Sequence, residues 1–271
     1  SYITVRCKTL AEAWEQAVLK CWAEGDRART EYDKPGDPES RDRTIMIVVD
    51  EPFAEPRIHK AFPGSLEYLE IYRQEVVNGI HDHWVNPEEG KWSYTYHQRL
   101  FAYDLYDAKG KKRIIDQFQY VIEKLAETPH TRRAQAITWK PDVDPTVDDP
   151  ACLQRMWFRV FGDEVRMNVH MRSNDGYKAT FMNMWAFTAL QQMVAEEVGR
   201  KIGRSLRPGA YGHIVDSFHI YGSYFKEFEG FPKSVRTRKF SERTWDSSGE
   251  MVQSAFDSGR AQIEAEKKAG K

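Results

Sequence analysis

From Met182 to Val198 the chain reads MNMWAFTALQQMVAEEV, predominantly apolar for far longer than a buried strand of about 4–8 residues. The length predicts a central buried helix, and such a helix has to be covered by other elements. The run also stops short of the ~20 residues that span a bilayer, and no other run approaches that length, so no segment is expected to enter a membrane.

The cover is legible on both sides of it. Leu10 to Ala23 sets Ala11, Trp14, Ala17, Val18 and Cys21 at helical spacing. Ser65 to Asn78 is a second amphipathic helix with Leu66, Leu69, Val76 and Val77 on one side and Gly79 as its stop, and Gln117 to Ala126 is a third, ended by Thr128-Pro129. Thr44 to Val49, Ala134 to Trp139, Met156 to Phe161, Glu164 to Met171 and Ile214 to Tyr221 read as strands. A Gly162-Asp163 turn joins two of them as a hairpin, which implies a buried antiparallel sheet. Gly25 to Arg43, crowded with charge and carrying Pro35, Gly36 and Pro38, reads as an exposed loop. No linker or internal repeat divides residues 1–271, so one α+β domain is expected.

Composition narrows the function. The 40 basic and 41 acidic side chains leave a net charge of −1, which gives no bulk attraction to nucleic acid or to an anionic membrane. Cys7, Cys21 and Cys152 are too few and too far apart for a disulfide framework or a zinc pattern, so no metal and a reducing cytoplasm are expected. Ser1 to Lys20 carries charges throughout, unlike a secretory signal.

Several residues have both a bland and a chemical reading. Cys152, in Asp148-Asp149-Pro150-Ala151-Cys152-Leu153, is either a small buried hydrophobe or a thiolate nucleophile. A thiolate needs a nearby cation, for which Arg132, Arg133 and Arg172 are candidates. Arg132-Arg133 between a helix and a strand, and Arg172-Ser173 at a strand end, are either solvated or suited to a phosphate dianion. Asn183 is a buried amide that bonds either to backbone or to a planar base edge. His219 and Tyr221 share a strand face, where they meet a sugar hydroxyl or border the core. On the second helix, phase favours Glu70 over Glu67 for an interior site.

Taken in order, Ile115-Asp116-Gln117, Arg132-Arg133 ahead of the Trp139 strand, Cys152, Arg172-Ser173-Asn174-Asp175, Asn183 and His219-Ile220-Tyr221 resemble the thymidylate synthase superfamily. The intervals from Arg132 through Cys152 and Arg172 to Asn183 match that family without a gap, over a likeness running from about Ile80 to Tyr224. The resemblance implies a mixed or antiparallel sheet flanked by helices and a homodimer formed through the sheet face. It implies a pyrimidine nucleoside monophosphate and 5,10-methylenetetrahydrofolate as partners, with Cys152 adding to C6 of the base so that C5 attacks the methylene carbon. Arg172 and Ser173 become phosphate ligands within one subunit, while Arg132 and Arg133 reach the partner's site and Arg41, rather than Arg43, joins from the N-terminal part. Asn183 reads the base, His219 and Tyr221 the ribose, and Asp175 lies near base and folate. Glu70, with Glu67 as the alternative, becomes the carboxylate that organises water, and Tyr96 the residue that helps remove a proton.

The departures bear on the reaction. In Ile80-His81-Asp82-His83-Trp84 the family's shielding Trp is replaced by His81, a polar ring that admits or activates water. The last residues, Glu266 to Lys271, carry no aliphatic tail of the kind that closes over folate. A bound 5-methylene intermediate that meets water yields a hydroxymethyl group, whereas one kept dry takes hydride and yields methyl. The sequence is therefore similar to the nucleotide hydroxymethylases, above all the cytidylate hydroxymethylase of nucleoside-antibiotic pathways, with CMP as the expected substrate. A thymidylate synthase acting on dUMP, or a non-catalytic nucleotide- or RNA-binding relative, would keep the same matched residues. A primary amide presents either polarity to a ring, so Asn183 alone does not choose between cytosine and uracil.

Overall fold

The computed structural model describes residues 2–270; Ser1, the first residue of the charged N-terminal stretch, and Lys271, the last of the charged C-terminal one, lie outside the described residues. In chain order the elements are β1 (Ile3–Cys7), α1 (Leu10–Glu24), β2 (Asp26–Ala28), β3 (Ser40–Val49), β4 (Ile58–His59), α2 (Leu66–Asn78), α3 (Tyr96–Phe101), β5 (Tyr103–Tyr106), β6 (Lys112–Ile115) and α4 (Gln117–Glu127). They continue with β7 (Gln135–Ile137), β8 (Leu153–Phe161), β9 (Glu164–Asp175), α5 (Thr180–Ile202), β10 (Arg207–Ile220), α6 (Phe225–Phe228), α7 (Gly230–Thr237), β11 (Thr244–Trp245) and α8 (Glu250–Lys268).

The main sheet runs β1-β3-β10-β9-β8-β7, with β2 alongside β3. It is mixed rather than antiparallel: β1 pairs parallel with β3, and β9 parallel with β10. The reason is the connection. A helix lies between the strands of each parallel pair, α1 in one and α5 in the other, and a crossover of that length lets the chain return in the same direction. Apolar alternation carries no strand direction, so only the β8–β9 hairpin was legible as antiparallel, and it is.

One face of the sheet packs the helices. Ile45, Ile47, Met156, Phe158, Val165, Met167, Val169 and Val215 are buried there with Trp14, Phe187, Leu190 and Val194, each burial contributing roughly 1.5–3 kcal/mol. The buried Gln191 of α5 donates Nε2 to Val165 O (2.8 Å) and Gly209 O (2.9 Å), tying the helix to the start of both parallel strands. Among the described residues no helix is long and apolar enough to cross a membrane.

Three expectations need correction. The segment from Gly25 to Arg43 is not all loop: Asp26–Ala28 pairs with Ser40–Asp42, leaving residues 29–39 as the excursion. Its strand ends carry charged side chains, so no apolar alternation announced them. Strand β10 begins at Arg207 rather than Ile214, because Gly209 and Gly212, which give no strand signal, sit where a Cβ would meet the side chains of Glu164 and Asn168. Strand β7 ends at Ile137 instead of Trp139. The C-terminal α8, absent from the sequence reading, lies across α2; at Gly259 a Cβ would stand 2.6 Å from Glu67 O, so glycine lets the helices approach closely. The charged chain end, through Lys268, is part of this helix.

Candidate active site

At the C-terminal ends of β9 and β10 a cavity of about 430 Å³ opens between the sheet, the start of α5 and α2. Eight of the residues singled out in the sequence line it: Tyr96, Cys152, Arg172, Ser173, Asp175, Asn183, His219 and Tyr221. The end of β9 (Arg172 to Asp175), His219 near the end of β10 and Asn183 in the first turn of α5 bring residues distant in sequence to one volume.

Cys152 stands just before β8 and is held from three sides. Its carbonyl accepts the Arg172 N–H (2.9 Å), the following Leu153 N–H donates to Tyr96 Oη (3.4 Å), and the Arg172 guanidinium donates to Ala151 O (3.1 Å) and Pro150 O (2.5 Å). Burial pushes the Cys152 thiol above its usual value, Arg172 draws it down and Asp149 pushes it up. Arg172 is thus the cation that a thiolate here would have. Tyr94 and Tyr96 are half-buried beside the sulfur, and the desolvation of their hydroxyls holds both phenols protonated.

The ligand-facing groups are set by local bonds. Asp175 Oδ1 accepts from Tyr177 N–H (3.1 Å) and Lys178 N–H (2.8 Å), fixing the turn into α5. His219 Nδ1 donates to Ser217 O (3.2 Å), while its buried Nε2 has no partner. In that tautomer Nε2 is an acceptor. Tyr72 Oη, from α2, lies 2.5 Å from Asn183 Oδ1.

A second cavity of about 380 Å³ shares Tyr72, Tyr94, Tyr96 and Asp149 with the first and adds Glu75, Lys91 and Trp92. His81 Nδ1 donates to Glu75 Oε2 (2.9 Å); its ring stacks on Trp84 at 3.7 Å between centroids, and its Nε2 lies 3.7 Å from Glu266 of α8. His81 itself lines neither cavity. Burial raises the Glu75 carboxyl above its ordinary value, partly offset by His81.

The remaining sequence candidates stand elsewhere. Glu70 is buried but turned away: its carboxylate accepts Arg73 at 2.8 and 2.7 Å, Gln74 at 3.0 Å and Arg260 of α8 at 3.3 Å. Burial raises its pKa and this partner set more than offsets the rise, leaving it below the usual range. Glu67 has its backbone beneath Gly259 of α8. The helical phase that favoured Glu70 took one apolar side of α2 for the interior; α2 is buried on two sides, and Tyr72 and Glu75, three apart, face the cavities. Arg41 donates Nη1 to Gly25 O (3.1 Å) and packs over Trp22, and Arg43 donates to Glu24 O and Asp26, so neither lines the cavity. Arg132 and Arg133 are exposed, the latter beside Tyr120 and Ile137, well apart from Cys152 within one chain. Tyr32, Tyr72, Tyr94 and Glu75 were missed; Tyr94-x-Tyr96 and the i, i+3 pair Tyr72/Glu75 were the available signals.

Comparison with known proteins agrees with this geometry. A family model described as thymidylate synthase matches residues 67–247. A protein of Methanococcoides burtonii named "Putative thymidylate synthase" is 30% identical over 86% of this chain and 95% of its own length. One of the same name from Methanocaldococcus jannaschii is 29% identical over 86% of this chain and 98% of its own. A Leuconostoc mesenteroides protein named "Thymidylate synthase" is 23% identical over 78% of this chain and 58% of its own. With the matched region holding strands β7 to β10, the cysteine loop and every lining residue of the two cavities but Tyr32, the chain belongs to the thymidylate synthase family and is a one-carbon transferase.

Proposed function

We propose that this enzyme is a folate-dependent pyrimidine nucleotide 5-hydroxymethylase whose substrate is CMP. In this reading Cys152 adds to C6 of the base, C5 takes the one-carbon unit from 5,10-methylenetetrahydrofolate and loses its proton as tetrahydrofolate leaves, water adds to the resulting exocyclic methylene, and the Cys152 thiolate departs from C6 to restore the ring double bond and release the product. Arg172 and Ser173 bind the phosphate, His219 Nε2 and Tyr221 the ribose, and Asp175 stands by the base. Flat walls of Trp92 and Tyr94 with Lys91 at the rim suit a pterin carrying an anionic tail.

The observation that supports hydroxymethyl over methyl is the Glu75–His81 pair. A half-buried carboxyl whose proton affinity is raised, braced by an imidazole, is a suitable base for a water at the cavity wall. Glu75 therefore takes the role that the sequence had given to Glu70, and His81 acts through it. The names of the relatives favour a second reading, methylation of dUMP. Mass spectrometry of products from CMP, dCMP, UMP and dUMP, each with 5,10-methylenetetrahydrofolate, separates the two. Gain of CH₂O on cytidylate is expected; gain of CH₂ on dUMP with dihydrofolate release would replace this reading by the second.

A further inference from the structure

We propose that Tyr72 and Asn183 together read the 3,4-edge of the pyrimidine and select cytosine over uracil; this rests on the nucleotide-transferase reading above and deepens it. The argument turns on which atom donates. Tyr72 Oη and Asn183 Oδ1 are 2.5 Å apart, a separation within the O–H···O range and below the 2.7–3.2 Å or so of N–H···O bonds. The hydroxyl therefore donates to the amide carbonyl, and the amide is held with its NH₂ group turned elsewhere. Burial keeps the Tyr72 phenol protonated, so the donor is always present. Both side chains line the cavity that holds Cys152.

The pair then offers two adjacent features to a ring. Asn183 Nδ2 is a donor, and Tyr72 Oη, its proton committed, is an acceptor. Cytosine presents the complement, an unprotonated N3 and an N4 amine. Uracil presents N3–H against a donor and O4 against an acceptor. It fits only if the amide turns over and the short O–H···O bond is lost. The preference is thus built into the free enzyme rather than into Asn183 alone, whose amide by itself serves either base.

The test is equilibrium binding by titration calorimetry of CMP, UMP, dCMP and dUMP to wild type and to Tyr72→Phe, without folate. Wild type is expected to bind each cytidylate about tenfold or more tighter than the matching uridylate, the size of one or two neutral hydrogen bonds. Tyr72→Phe is expected to weaken cytidylate about tenfold, leave uridylate within about threefold and so erase the preference. Retained uridylate binding and an unchanged melting profile show that the variant is folded. The 4-deamino analogue of CMP tests the same point on intact protein, and is expected to bind about tenfold more weakly than CMP. A wild type that prefers uridylate, a variant that keeps its cytidylate preference, or an analogue that binds as well as CMP overturns the base reader and leaves the transferase reading standing. Absence of binding by all four nucleotides overturns both.

Discussion

Cys152 has the Arg172 cation in reach and sits in a pocket whose burial works against it. The sulfur's pKa is raised by burial first, with Arg172 lowering it and Asp149 raising it. The thiol form therefore persists to higher pH than for a free cysteine, and the alkylation rate of Cys152 by iodoacetamide is expected to climb with a midpoint above 9.0. Cys7, pushed up to about 11, and Cys21, pushed up to about 12, should label later still. A midpoint below 9.0, read by peptide mass spectrometry, would mean that Arg172 outweighs burial. The two glutamates on α2 give a second contrast. Glu75→Gln is expected to lower kcat by ~100-fold or more while nucleotide affinity changes little, as for loss of a general base. Glu70→Gln is expected to leave kcat within about threefold and instead cost about 1–3 kcal/mol of stability, because Arg73 and Arg260 lose a charged acceptor. Steady-state kinetics with urea unfolding on both variants checks the pair; the opposite pattern would restore Glu70 to the role first read for it.

At the scale of elements, what could be read from sequence followed from burial on one side. Helices α1 and α4 and the long α5 were legible because one periodic apolar face announces each, and the hairpin because Gly162 takes the left-handed conformation with φ 59° at its turn. Helix α2 was legible as a helix, but not which of its sides meets the cavities, since α8 covers the side of Glu67 and Glu70 while Tyr72 and Glu75 line the cavities along another. Of the eight cavity residues, Arg172, Ser173, Asp175, Asn183 and His219 stand on β9, α5 and β10, elements legible in the sequence, and Tyr96, Cys152 and Tyr221 took their site roles from the family resemblance, whereas Tyr32 comes from the loop at residues 29–39 with no period to follow. The central strands also carry a polar chain that the pattern of apolar residues hides: Tyr211 Oη donates to His213 Nδ1 (2.6 Å), and His213 Nε2 donates to Asn174 Oδ1 (3.0 Å), Asn174 lining the cavity. Burial pushes His213 down to about 3 from an ordinary 6.5. Between those values the unfolded chain binds a proton that the folded one refuses, so stability falls as pH drops through 6.5. From about pH 7 to about pH 5 this one group should remove about 2 kcal/mol, before the carboxylates titrate. His213→Gln keeps an acceptor for Tyr211 and a donor for Asn174, and should flatten that slope in urea titrations at the two pH values. An unchanged slope would place its origin in other groups.

The molecule as a whole is a sheet with helices on one face and little on the other. Outward residues of the strands form a mixed surface in which Met46, Ile137 and Phe161 are 43%, 41% and 37% exposed, with half-buried Val48, Trp157 and Ile214 among them. An apolar area of this kind marks a contact surface, and an isologous pairing of two such faces is the simplest closed arrangement. Arg132 and Arg133 stand exposed by β7, beside this face and away from their own Cys152. The cavity within one chain has Arg172 as the arginine lining it. We therefore expect a homodimer in which Arg132 and Arg133 complete the partner's phosphate site. Sedimentation should give a dimer, and Arg133→Ala should raise the nucleotide KM about tenfold or more with a smaller change in kcat, as when uniform phosphate binding is lost. The sharper check is mixing. Cys152→Ala has no nucleophile and Arg133→Ala has a poor phosphate site, but a hybrid dimer holds one site with an intact Cys152 and the partner's intact Arg133. Co-refolding the two variants should therefore restore up to about a quarter of wild-type activity, since half of the dimers formed are hybrids and each has one repaired site of two. Activity that stays at the sum of the separate variants would show that each chain serves its own site.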